Sequence, residues 1–285
     1  MRLSTFVPVA TGIRLSTKIY QIKSPILSIR KISAFINFKL MKPFLTAEWR
    51  RLILLTYAVE PDLLEPYLPK GLTLDKYKDD RAFVSFVAFD FLNTRVKGLP
   101  IPFHINFPEI NLRFYVRHTD KAGNMRRGVM FVKELVPKYC IALVANRIYN
   151  EPYESTPMES FYETKNDTLT IEHQWTYKKS PHQFKIIVEN QPHFPKEDST
   201  ENFFKEHEWG FGINKKGQLT EYKVEHPIWK VYPLKERFQI NIQFGQLYGK
   251  QWDVLNGQIP YNVMVAEGSP IKVFPGKLVQ GKQFQ

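Results

Sequence analysis

Hydrophobic and polar residues alternate with period two along most of the chain. In "FPEINLRFYVRH", residues 107–118, Ile110, Leu112, Phe114 and Val116 fall on one face, opposed by Asn111, Arg113, Tyr115 and Arg117. That spacing predicts a strand with one apolar and one polar face. "FQINIQFGQLYG", residues 238–249, alternates just as regularly and predicts another strand. "RAFVSFVAFDF", residues 81–91, is a continuous apolar run suited to a strand buried on both faces. "WRRLILLTYA", "GVMFVKELV", "LTIEHQWTYK" with "FKIIVEN", and "WGFGIN" with "LTEYKVEH" extend the series.

Helical spacing is rare. "PDLLEPYLP" predicts one short turn after Pro61, and "PKYCIALVANRIYN" a helix whose apolar face holds Tyr139, Ile141, Leu143, Val144 and Ile148. "DSTENFFKEHE" predicts a second helix capped by Asp198, Ser199 or Thr200. No βαβ rhythm, internal repeat or linker breaks residues 41–280. The pattern therefore predicts a mainly β, α+β domain, compatible with a large antiparallel sheet closed into a barrel.

Composition adds little to this picture and charge modifies it in one place. Aromatic residues make up 14% of the chain, ample for a packed core of strands. The net charge of +12 invites a nucleic-acid reading. Residues 1–40, however, carry seven basic residues and no acidic one, which leaves 33 basic against 28 acidic residues over 41–285. In that part the two signs are interleaved, so no nucleic-acid partner is expected. The basic, Ser/Thr-rich residues 1–40 are expected to stand apart from the fold, either as a targeting segment or as a stretch upstream of a start at Met41. The lone Cys140 excludes an internal disulfide and is expected to be a buried small hydrophobe. No apolar run is long enough for a membrane-spanning helix. A cytoplasmic protein is expected, or an organellar one if residues 1–40 are a transit peptide.

Candidate chemistry is sparse. The seven histidines show no metal-ligand spacing, so neither a metal nor another cofactor is expected and each histidine reads as structural. His226 reads as a brace against Trp229. Arg113 carries two readings: a surface or salt-bridged arginine, or a cavity residue whose planar fork binds a carboxylate. Glu109 lies four residues earlier on the same strand face and shares whichever environment Arg113 has.

Four stretches resemble the YqjF-like family, a group within the acetoacetate decarboxylase superfamily: "LLEPYLPKGLTLDKYKDDRAFVSFVAFDF", "LPIPFHINFPEINLRFYVRH", "RGVMFVKELV" and "FFKEHEWGFGINKKGQLTEYKVEHPIWKVYPL". Their order and spacing cover most of residues 41–250. The resemblance implies a cone-like, largely antiparallel barrel over residues 41–285, with an internal cavity and a few external helices. It also implies that the polar side of residues 109–115 faces the lumen while the apolar side packs beneath the helices. Decarboxylases of the superfamily place a Schiff-base lysine and a second lysine after a proline that follows a helix. The matching stretch "ANRIYNEPYEST" has Tyr153 and Glu154 there. A phenol forms no imine, so that chemistry is not carried over. What remains is a cavity for a small, carboxylate-bearing organic molecule, with Glu109, Asn111, Arg113, Tyr115 and Tyr153 as the candidate wall. The alternative is a barrel filled by its own side chains with no ligand.

Overall fold

The computed structural model describes residues 41–148, 152–205, 207–235 and 238–279; the expectation for residues 1–40 lies outside them. Sixteen strands and three α-helices follow one another along the described chain. In order they are β1 Leu45–Val59, β2 Thr73–Leu74, β3 Ala82–Val96, β4 Leu99–Pro100, β5 Phe107–Thr119, β6 Met125–Val136, α1 Tyr139–Ile148, β7 Tyr153–Ser155, β8 Met158–Lys165, β9 Thr168–Tyr177 and β10 Ser180–Glu189. Then come α2 Thr200–Lys205, β11 Trp209–Ile213, β12 Leu219–Glu225, β13 Val231–Tyr232, β14 Gln239–Asn241, α3 Phe244–Tyr248, β15 Asn262–Val273 and β16 Lys277–Leu278. Short 3₁₀ turns occupy Pro61–Leu63, Glu65–Tyr67 and Lys250–Leu255.

The larger sheet runs β15-β1-β3-β5-β6-β11-β12 and returns to its start through a β12–β15 pairing, so it forms a ring. That closing pair is short, Val224 with Val273 and Glu225 with Lys272. Most pairings are antiparallel as expected. Two are parallel, β6 with β7 and β6 with β11, because the chain leaves the ring after β6 and comes back beside it twice. Between those returns it builds β8, β9 and β10, which with the later β14 form a second sheet, β14-β10-β9-β8, that the sequence pattern does not separate from the first.

The second sheet explains where the apolar residues go. Every residue from Ala82 to Phe91 in β3 is buried, as the run of apolar residues predicts. One face of β3 and β5 presents Phe86, Ile110, Leu112, Phe114 and Val116 to a core shared with Ile171, Trp175, Phe184 and Ile186 of the second sheet. Phe86 stacks on Trp175 at 5.8 Å and meets Phe184 edge-on at 5.9 Å. Leu247 of α3 and the fully buried Trp252 join the same core. The outward face of β5 is thus apolar as expected. Its cover, however, is chiefly a sheet rather than helices, since a flat strand face is matched over its length by other strands.

Two local expectations are corrected, and one strand, β15, goes unpredicted. "FQINIQFGQLYG" is a strand only at Gln239–Asn241; from Phe244 onward the buried residues are Phe244, Leu247 and Tyr248, which is helical spacing, and the Phe244 N–H is capped by Asn256 Oδ1 at 2.8 Å. β15 pairs with β1 over most of its length, yet Gly268 and Pro270 hide it in the sequence. In α1, Tyr139 is exposed rather than part of an apolar face; the side chains of Leu143, Val144 and Ile148 lie outside the described residues.

Candidate functional site

The inner face of the ring encloses a cavity of about 220 Å³. Its wall is mostly apolar and rich in aromatic rings, with Trp49, Phe89, Phe91, Phe107, Trp209 and Trp229 prominent. Strand alternation on β5 delivers the polar exceptions. Phe107, Glu109, Asn111 and Arg113 all line the cavity because residues two apart share a face. β6 adds Glu134, which pairs with Asn111 across the ladder. Tyr153 reaches the wall from β7, where Asn146 clamps its backbone through two 3.0 Å hydrogen bonds.

These groups are knitted together on one side. Glu109, 3% exposed, accepts from Asn111 Nδ2 at 3.1 Å and from the Tyr153 hydroxyl at 3.2 Å. Four of the five residues expected in the wall are therefore brought together. Tyr115 is not among them. It shares the face but lies beyond the cavity's end, where it joins Phe83, Val129 and Phe204 in a buried plug. Its hydroxyl is spent on Ser85 Oγ at 2.5 Å, which in turn meets Thr56 Oγ1 at 2.7 Å.

Arg113 sits next to that plug. Its Nε is buried and has no acceptor, and among the described residues no carboxylate pairs with its guanidinium. Beside it stands His207, read from sequence as structural. Its ring packs 4.7 Å from that of Tyr115, and its Nε2 meets Asp75 Oδ2 at 2.9 Å. Asp75 is also held by Arg127 Nε at 2.6 Å. Burial tends to raise the Asp75 pKa, but the hydrogen bonds from His207 and Arg127 outweigh it and hold the carboxyl below its ordinary range. His207 is pushed down to about 4 by burial, with the Arg113 and Arg127 charges adding to the effect and Asp75 opposing it. The imidazole is neutral near pH 7.

Sequence reasoning missed His207, Asp75 and Glu134. Asp75 lies in a polar connection without periodicity, and His207 in a short segment after a helix. The one available signal was their presence in the family-like stretches. His226 stacks on Trp229 at 4.3 Å, the bracing role expected of it, and also lines the cavity.

No lysine lines the cavity among the described residues. Lys133 turns instead to Glu154 Oε1 at 3.0 Å, the Tyr177 hydroxyl at 3.1 Å and the Leu247 carbonyl at 2.8 Å. Cys140, expected to be buried, is exposed and lies on the cavity's edge in the first turn of α1. A thiol reagent should therefore modify native protein stoichiometrically without denaturant, as intact mass will show. Reaction only after unfolding would contradict the exposed placement.

The family model for DUF2071, an uncharacterized conserved protein, matches residues 46–270. The chain belongs to the DUF2071 family. A curated relative, the uncharacterized protein YqjF of Bacillus subtilis (strain 168), is 30% identical over 113 residues, which span 39% of this chain and 44% of that one. The fold is that of the acetoacetate decarboxylases. The Legionella pneumophila enzyme superimposes with a TM-score of 0.56 at 14% identity, over 84% of this chain and 88% of that one. An acetoacetate decarboxylase-like enzyme from Sphingomonas wittichii RW1 gives 0.57 at 11% identity, over 84% and 94%. The enduracididine biosynthesis enzyme MppR, complexed with pyruvate, gives 0.57 at 11%, over 84% and 91%. Among the described residues, no helix of this DUF2071 member is long and apolar enough to cross a membrane.

Proposed function

We propose that this DUF2071 protein uses residues 41–285, as a cone-like barrel, to bind a small organic molecule bearing a carboxylate, and that it does so without Schiff-base chemistry. The observation that carries this reading is Arg113. Arg113 is half-buried with its Nε shut off from water and lacking an acceptor, and a guanidinium drawn partly out of water favours an anion. The wall offers two carboxylates, but Glu109 is engaged by Asn111 and Tyr153, and neither Glu109 nor Glu134 is free. A ligand carboxylate is the complement, held through the planar fork of the guanidinium. The largely apolar wall takes the rest of the ligand; the cavity exceeds the roughly 150 Å³ that accommodates benzene in an engineered protein interior.

The absence of a lysine among the described lining residues supports the second half of the proposal, as do Tyr153 and Glu154 after Pro152. The fold neighbours include enzymes, one of them holding pyruvate, itself a small carboxylate. That favours a ligand-filled cavity over one closed by its own side chains.

Arg113→Ala is the direct test. Loss of this half-buried charged partner lowers affinity for a bound monocarboxylate by about tenfold or more. Stability should stay within about 0.5 kcal/mol of the wild type, since no described protein group depends on Arg113. Calorimetric titration with a panel of monocarboxylic acids measures the first and urea denaturation the second. Unchanged affinity in the variant removes the proposal.

A further inference from the structure

Further buried polar atoms of the wall lack partners: Trp49 Nε1 and Thr94 Oγ1 stand at the far end, level with Phe107 and Ile105, while Asn111 Oδ1 and His207 Nδ1 adjoin Arg113, where their neighbours fix what each can do. Asn111 is 2% exposed, and its Nδ2 donates to the Glu109 carboxylate at 3.1 Å. A carboxylate accepts and does not donate, so the amide nitrogen is the end facing Glu109. Oδ1 is therefore the other end, buried and without a donor. His207 repeats this logic. Asp75 is kept ionised by Arg127, so the proton on the imidazole sits on Nε2, facing Asp75. Nδ1 is then a bare lone pair, also buried and without a donor.

Beside Arg113 the wall thus presents one unmatched cation and two unmatched neutral acceptors. Asn111 and Arg113 are two residues apart on one strand face, about 7 Å between Cα atoms. His207 adjoins Tyr115, the next residue along that face, and feels the Arg113 charge. Buried polar groups left unmatched are costly, so each unmatched wall atom describes a feature of the molecule that belongs there.

We infer that the ligand is a hydroxy acid: a carboxylate for Arg113 and, on one of the next two carbons, a hydroxyl whose proton is accepted by His207 Nδ1 or Asn111 Oδ1. This rests on the carboxylate reading above and specifies it. A hydroxyl suits the site better than an ammonium, because Glu109 and Glu134 already have partners and no free carboxylate waits for a second charge. A keto group is the wrong complement, since it brings an acceptor to two acceptors. The remaining wall, with Phe89, Phe91 and Phe107, takes an apolar or aromatic body.

The experiment compares mandelate, phenylacetate, benzoylformate and phenylglycine on the full chain, following the emission of the wall tryptophans Trp49, Trp209 and Trp229. The four share a ring and a carboxylate and differ at one carbon. Mandelate should bind at least about tenfold more tightly than each of the others. In His207→Phe, the advantage of mandelate over phenylacetate should shrink several-fold, and an undiminished advantage in both His207→Phe and Asn111→Leu would overturn the assignment. The wild-type series stands independently of how either variant folds. Equal binding of mandelate and phenylacetate overturns the hydroxyl assignment and leaves the carboxylate reading standing. Tighter binding of phenylglycine or benzoylformate than of mandelate overturns the assignment in the same way. Failure of every acid at millimolar concentration overturns both.

Discussion

Acidification from about pH 7.5 to about pH 4.5 should cost the folded protein on the order of 5 kcal/mol, well beyond what exposed carboxylates contribute. Two histidines carry this expectation. His207 and His173 are each buried, and burial pushes each pKa down to about 4. In His173, Asp90 opposes the burial effect and Arg51 adds to it. A histidine that stays neutral in the folded state takes up its proton first in the unfolded chain, near pH 6.5. Between about 6.5 and about 4 the unfolded state therefore binds more protons, and stability falls as pH falls. Below about 4 both states are protonated and the loss levels off. Each histidine accounts for roughly 2 to 3 kcal/mol by pH 4.5. His173→Phe keeps a ring stacked on Phe184, which lies 5.1 Å away, and should remove about half of the pH dependence. Urea denaturation across that pH range measures it. A flat profile in the wild type would contradict the burial of both rings.

Gly268→Ala should destabilise the protein by about 3 kcal/mol or more, combining left-handed backbone strain with overpacking. Gly268 has φ +84°, and a Cβ there would stand 2.0 Å from the Trp49 carbonyl oxygen. That oxygen belongs to the neighbouring strand of the ring and cannot swing aside as a side-chain tip would. β1 carries an irregularity at the same level, with its register against β3 shifting between Arg50 and Ile53 and Arg51 at φ 54°. Gly217→Ala is the control. Its φ is +73°, but nothing lies within 4 Å of the added carbon, so only the roughly 1–2 kcal/mol of backbone strain applies. Equal losses in the two variants would show that the crowding at Trp49 has no energetic weight.

Gly268 also marks a place where the sequence was hard to read. β3 and β5 declare themselves, because a run of apolar residues and a strict alternation fit buried and half-buried strands and little else. Period two put Glu109, Asn111 and Arg113 on one face of β5, but that this face meets a cavity was implied only by the family resemblance. β15 did not, because glycine and proline are signals against a strand unless a bulged partner accommodates them. The second sheet was invisible as a separate layer, since pairing order is a long-range property that no local window holds. Tyr115 lies on the expected face, but only the plug of Phe83 and Phe204 sets where the cavity ends. His207 and Asp75 are 132 residues apart in sequence and meet only through the fold.

The seam between β12 and β15 has a consequence for how the chain reaches this state. β1, the partner of β15, is translated ahead of the other strands of the ring, and β15 after β12. Until residues 262–273 emerge, the β15-facing edge of β1 and the free edge of β12 both lack their final neighbour. The lining between them, including Trp49 and Leu52, remains open to water and to other nascent chains. Closure across so long a sequence separation is slow, and unpaired edges with apolar flanks are where aggregation starts. Chains stalled or truncated before residue 262 are therefore the species a chaperone would be expected to hold. Release should follow synthesis of β15 and not that of the β1–β6 core.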